Sequence, residues 1–193
     1  MRPLLALVLL AGCATDPAPA PAPPSEPLAP DADPPQAVAA APEADTSWTV
    51  GITDLPGEKR DVLVRSARLA SHPDATPGYD RLVFEFDGGL PEVHVEYVDR
   101  PVHACGSGEA LTPEGDGFLE IRLTGARAHT DAGEATIPHG RQRRGLPTVL
   151  ETVPTCDFEG VVTWVLGVAS PEAYRVVRLE APSRLAVDVQ HAP

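Results

Sequence analysis

From Trp48 onward the chain is cut into short apolar runs by turns containing Gly or Pro, and this constrains the fold more than any other feature. Residues 81–87 read RLVFEFD and place Leu82, Phe84 and Phe86 on one face of an extended segment. Residues 93–98 do the same with Val93, Val95 and Tyr97. Side chains that alternate with period two belong to strands with one buried face. Residues 62–69, 118–123, 174–179 and 184–189 add further strands, and 161–168 is nearly continuously apolar, so it is placed centrally in a sheet. Between them lie turn signals at 87–89, 106–108, 114–117 and 181–183. Residues 146–153 read either as a strand or as a short helix, because Pro147 leads a stretch with β-branched residues. The expected fold is all-β, a β-sandwich or small barrel of about seven to nine short strands.

The preceding stretch cannot join that core. Residues 14–45 are almost entirely Ala, Pro, Asp, Glu and other small residues, with ten prolines. With no hydrophobic periodicity, the stretch lacks the apolar surface needed to offset ordering entropy. A proline-rich chain prefers extended polyproline II at about 3.1 Å per residue, so these 32 residues would reach at most roughly 100 Å. A disordered linker is expected here.

Ahead of the linker, Arg2 precedes an apolar run at 4–11, followed by Gly12 and Cys13. The run is too short to span a bilayer, which needs about 20 apolar residues, and has the form of a secretory signal. The tetrapeptide LAGC at 10–13 matches the bacterial lipobox. In such signals the Cys thiol receives diacylglycerol, the chain is cut before it, and the new amine is often acylated. The expected organisation is a signal peptide at 1–12, lipidated Cys13 with its linker at 13–45, and a folded domain at 46–193. At about 0.8 kcal/mol per buried CH₂, two or three acyl chains of palmitate type hold a protein on a membrane effectively permanently. Ala14, rather than Asp, follows the Cys, which favours the periplasmic face of the outer membrane in a cell with two membranes.

The net charge of −13 excludes nucleic acid as a partner, since phosphate binding needs a basic surface. It also disfavours anionic headgroups, so membrane attachment rests on the lipid anchor. With Cys13 acylated, Cys105 and Cys156 remain, and an oxidising compartment pairs them as a disulfide. The alternative, two thiols ligating metal, finds no Cys-x-x-Cys pattern or neighbouring His. No constellation for catalysis has workable spacing. Ser107 lacks the nucleophile elbow, the six His residues form no zinc pattern, and His129 with Asp131 and Glu134 reads as a solvated acidic loop. No catalytic residue, metal or cofactor is expected.

Several stretches together resemble the AMIN-like domain of bacterial secreted proteins and lipoproteins. They are GYDRLVFEF at 78–86, VEYVDRPV at 95–102, GSG at 106–108, DFEGVVTW at 157–164, YRV at 174–176 and RLAVDV at 184–189. The resemblance spans nearly all of residues 48–190. It implies a non-catalytic β-sandwich that serves targeting to the cell envelope through peptidoglycan. The Cys105–Cys156 pair departs from the family pattern. No amidase or secretin domain accompanies these residues, so a catalytic passenger is not expected.

Two sets of residues are candidates for ligand binding. Arg141, Arg143 and Arg144 form a basic loop in an acidic chain; Arg forks suit phosphates or carboxylates such as those of peptidoglycan stem peptides, and the loop reads alternatively as solvated or as pairing with the domain's own acids. The second set is Tyr79 and Arg81 with Arg100. Here Asp80–Arg81 and Asp99–Arg100 read alternatively as structural ion pairs. Trp48 and Trp164 are both candidates for stacking on sugars, with core packing favoured for Trp164 by the apolar run around it. The expected partner is peptidoglycan or, alternatively, an envelope protein bound through a sheet edge.

Overall fold

The computed structural model describes residues 47–58 and 60–193. The signal peptide expected at 1–12, and Cys13 with the linker expected at 13–45, lie outside the described residues. Thirteen strand segments and no helix occur among the described residues. In chain order they are β1 (Thr53–Leu55), β2 (Val62–His72), β3 (Tyr79–Asp87), β4 (Glu92–Tyr97), β5 (Val102–His103), β6 (Ala110–Leu111) and β7 (Gly117–Thr124). Then follow β8 (Ala126–Arg127), β9 (Gln142–Arg143), β10 (Val149–Phe158), β11 (Val161–Val168), β12 (Tyr174–Leu179) and β13 (Arg184–Gln190). Eight are six residues or longer, and seven of these coincide with the runs read from the sequence. The eighth, β10, makes residues 149–153 of the undecided stretch a strand, with 146–148 as the approach to it. Pro154, which lacks an N–H, sits at a register shift in its ladder with β11, where a missing donor is tolerated.

The long strands form two sheets. One has the order β1-β4-β7-β11-β10-β9 and the other β12-β13-β3-β2-β8. All pairs are antiparallel except β2 with β8. The inner faces share one core. Leu82, Phe84, Leu185 and Val187 from the five-stranded sheet join Val95, Ile121, Trp164 and Leu166 from the six-stranded one. Phe84 meets Trp164 edge to face across the interface, with ring centroids 5.5 Å apart.

Two segments carry the chain from one sheet to the other, making the pair a partial barrel. Thr49 exchanges backbone hydrogen bonds with Tyr174 on β12 at 2.8 and 2.7 Å, and β1 then pairs with β4. Beyond β7, Gly125 takes φ of 82°, its N–H bonds the Gly160 carbonyl at 2.7 Å, and β8 joins β2 in the opposite sheet. A side chain at that φ would be strained, which explains a glycine where the strand changes sheets.

The central position expected for 161–168 is observed: β11 lies between β7 and β10. Its inward residues enter the main core, while Val165 packs outward with Phe118 and Val102 in a smaller cluster. Covered on both faces, the strand has no solvent side, and its sequence does not alternate. Cys156 on β10 forms the disulfide with Cys105, and the Cys105 N–H bonds the Thr155 carbonyl at 2.9 Å. Among the described residues no helix is long and apolar enough to cross a membrane.

Candidate functional site

Tyr79 and Arg81 lie on β3 at positions that alternate with the core residues Leu82 and Phe84, so both point away from the core. Register then decides their company. Arg81 stands opposite Asp188 on β13, and Asp188 stands opposite Arg175 on β12. Asp188 has no solvent exposure. Arg81 donates from Nε and Nη2 to its two oxygens at 2.6 and 2.8 Å, and Arg175 Nε donates to Oδ2 at 2.7 Å. Both arginine side chains keep about a quarter of their surface in solvent. The Asp188 hydrogen bond, above all, holds the Arg81 guanidinium above its ordinary pKa.

Aromatic rings wall this triad. The Arg175 guanidinium lies 4.4 Å from the Trp48 ring centroid and 5.1 Å from that of Tyr79, and Arg81 lies 5.0 Å from Tyr79. His72 stacks on Tyr79 with centroids 4.8 Å apart. Trp48, Tyr79, Arg81 and Arg175 thus come from three separate segments and meet on one outward face. Trp164 is buried in the core, as the apolar run predicts.

Neither adjacent pair in the second set forms an ion pair. Neighbours on a strand point to opposite faces. Asp80 therefore turns inward while Arg81 turns out. Buried Asp80 accepts the N–H groups of Thr148 and Val149 at 2.8 and 2.9 Å and contacts His191 Nε2 at 2.9 Å, tying β3 to the start of β10. Arg100 lies in the loop after β4, a strand of the other sheet from the β3 that carries Tyr79. It covers the Phe118 ring at 4.6 Å, donates to the Gly115 carbonyl and lies 3.6 Å from Asp116.

The basic loop is split by its own alternation. Arg141 forks onto Glu151 at 2.9 and 2.8 Å and donates to the Thr112 carbonyl at 2.8 Å. Arg143 is largely exposed, 3.5 Å from Glu114, and Arg144 donates to Gln142. Glu151 is buried, and Arg141 beside it holds its carboxyl below the ordinary carboxylate range. A carboxyl depressed on folding adds stability above its unfolded pKa, and that stability is lost as pH falls through the folded value. Urea unfolding across the acidic range should therefore show the wild-type midpoint falling more steeply than that of Glu151→Gln. Equal slopes would refute this role for Glu151.

A cavity of about 330 Å³ opens beside the disulfide, lined by residues including Ile137, Pro154, Phe158 and Trp164. Its acid, Asp157, is taken up by His129 Nδ1 at 2.8 Å and by the Ala128 N–H at 3.0 Å. Among the described residues no group of three or more His, Cys, Asp or Glu is placed to hold a metal ion. Ser107 accepts the Glu109 N–H at 3.2 Å, as a turn residue does.

Sequence reasoning named Tyr79, Arg81 and Trp48 but missed Arg175 and Asp188 as parts of the same place. The signal for them in the sequence is that YRV at 174–176 and RLAVDV at 184–189 are among the stretches that resemble the family. No curated protein and no solved structure matches the chain. The AMIN-like domain matches residues 62–191, a span that includes every strand from β2 to β13. With two thirds of its length accounted for in this way, the chain belongs to the AMIN-like domain family, a family of non-catalytic binding modules.

Proposed function

We propose that this protein is a lipoprotein of the bacterial cell envelope whose folded domain binds peptidoglycan. Membership of a family generally associated with envelope and peptidoglycan binding is the observation that carries the reading. In this reading residues 1–12 are removed and Cys13 carries the acyl chains. Residues 13–45 form a tether between the lipid and the domain at 46–193. The lipobox at 10–13 supports the anchor, and Ala14 supports the periplasmic face of the outer membrane where two membranes exist.

Two measurements test it. Cells fed a fatty-acid probe should label the wild-type protein but not Cys13→Ser, and an unlabelled wild type would overturn the anchor. Full-length protein in detergent should sediment with purified sacculi at low salt, and its absence from the pellet would overturn the wall reading. A protein partner is the second reading, favoured by Val50 and Ile52, which expose 65% and 62% of their surface on the segment that crosses between the sheets. Crosslinking that traps one envelope protein, without retention on sacculi, would decide for it.

A further inference from the structure

We infer that the outward face of the five-stranded sheet is a carboxylate-binding site centred on Arg175 and Arg81, and that its ligand is the free C-terminal carboxylate of a peptide carried by the wall polymer. The inference rests on the wall-binding reading above and names the surface and chemistry it would use.

Charge is the first argument. The protein carries −13 overall, yet the outward positions of β2, β3, β13 and β12 invert that sign. Arg65, Arg68, Arg81, Arg175 and Arg184 outnumber Asp87, Glu85 and Asp188 there. Arg65 pairs with Asp87 at 2.5 Å and Arg68 with Glu85 at 2.9 Å, so those charges are matched. Arg81 and Arg175 share a single carboxylate, Asp188, and one positive charge at the triad is left without a partner.

Donor capacity is the second. Of the guanidinium nitrogens, Arg81 Nε and Nη2 and Arg175 Nε are spent on Asp188. Both terminal nitrogens of Arg175 and Nη1 of Arg81 keep their N–H groups, on side chains that reach solvent. A guanidinium edge with parallel N–H groups fits a carboxylate as a fork.

Preorganisation is the third. Arg175 is held from behind by Asp188 and flanked by the Trp48 and Tyr79 rings. A flexible side chain already fixed in place loses little entropy when a ligand arrives. The rings also supply apolar walls for the small side chain next to a peptide terminus. One unmatched charge suits a monoanion, whereas a polyphosphate chain would meet the repulsion of the whole acidic protein.

The test is a sedimentation titration of the full-length protein in detergent against purified sacculi. Arg175→Gln leaves the Arg81–Asp188 fork intact, and Trp48→Ala removes one wall without touching a charge. Thermal unfolding of each variant confirms folding. Arg175→Gln should weaken retention about tenfold or more, the scale of a lost charge-assisted hydrogen bond, and Trp48→Ala should weaken it severalfold. An acetylated peptide ending in D-Ala-D-Ala with a free carboxylate should compete, and its C-terminal amide should not. Wild-type retention matched by a folded Arg175→Gln would overturn this site while leaving wall binding in place. Equal competition by acid and amide, equal retention on glycan strands stripped of peptide, or stronger competition by inorganic phosphate would overturn the ligand. Failure of the wild type itself to sediment would overturn the wall reading.

Discussion

Replacing Asp188 with Ala should lower the free energy of unfolding by about 3 kcal/mol, the lower end of the range for breaking a buried ion pair by removing one partner. Asp188 has no solvent exposure and satisfies three guanidinium N–H donors from two strands. Without it, Arg81 and Arg175 face each other across β13 with no counter-charge. The lower end applies because each arginine side chain keeps about a quarter of its surface in water, so that the freed charges recover some hydration. Domains of this size are stable by only about 5–15 kcal/mol, so the change should be plain in urea unfolding. Arg175→Gln should cost much less, since Arg81 still forks onto the carboxylate. The contrast carries the prediction: if the Asp188 and Arg175 variants lose equal stability, or Asp188→Ala loses under about 1 kcal/mol, the triad is a surface pair and not a buried anchor.

Reducing the Cys105–Cys156 bridge should cost about 4 kcal/mol, the chain-entropy value for a loop of this length. The two cysteines are separated by 51 residues, and the enclosed segment includes β7, the neighbour of β11 and β4 in the six-stranded sheet. The bridge ties the chain beyond β5 to β10, so it restricts the unfolded chain far more than it adds contacts to the folded one. A Cys105→Ala, Cys156→Ala double variant should unfold at a midpoint lower by about 2 M urea, given slopes near 2 kcal/mol per molar for small domains. Its slope should rise, because an unbridged chain exposes more surface when unfolded. An unchanged midpoint would mean that the six-stranded sheet closes this loop without help.

Strand periodicity makes most of the architecture legible in the sequence. At 81–87 the alternation of Leu82, Phe84 and Phe86 with polar residues is the same alternation that separates core from surface in β3. The central place of β11 followed from its lack of alternation, and the Cys pairing from compartment and count. Residues 146–153 stay open in the sequence because Pro147 and β-branched residues give conflicting local signals, and pairing with β11 makes 149–153 a strand. The candidate site was half legible. A run such as 141–144 looks like a binding loop because its charges are contiguous in sequence, but Arg141 is engaged by buried Glu151. The face that concentrates positive charge has no contiguous counterpart: its arginines are scattered from Arg65 to Arg184.

Read alone, the chain's sequence determined that the body is built of strands, where most of them run, that its charge is strongly acidic, and that its first 45 residues differ in kind from the rest. These are local properties, set by side-chain alternation and composition within a few residues. The tertiary structure decided which residues share a face. Antiparallel register placed Arg81, Asp188 and Arg175 in one row and turned Asp80 inward to β10. The crossing segment at 49–55 brought Trp48 over the row's end. Such pairings join residues that lie from 13 to 107 positions apart on β3, β12 and β13, and only the buried core, by holding the strands in a single register, can select them.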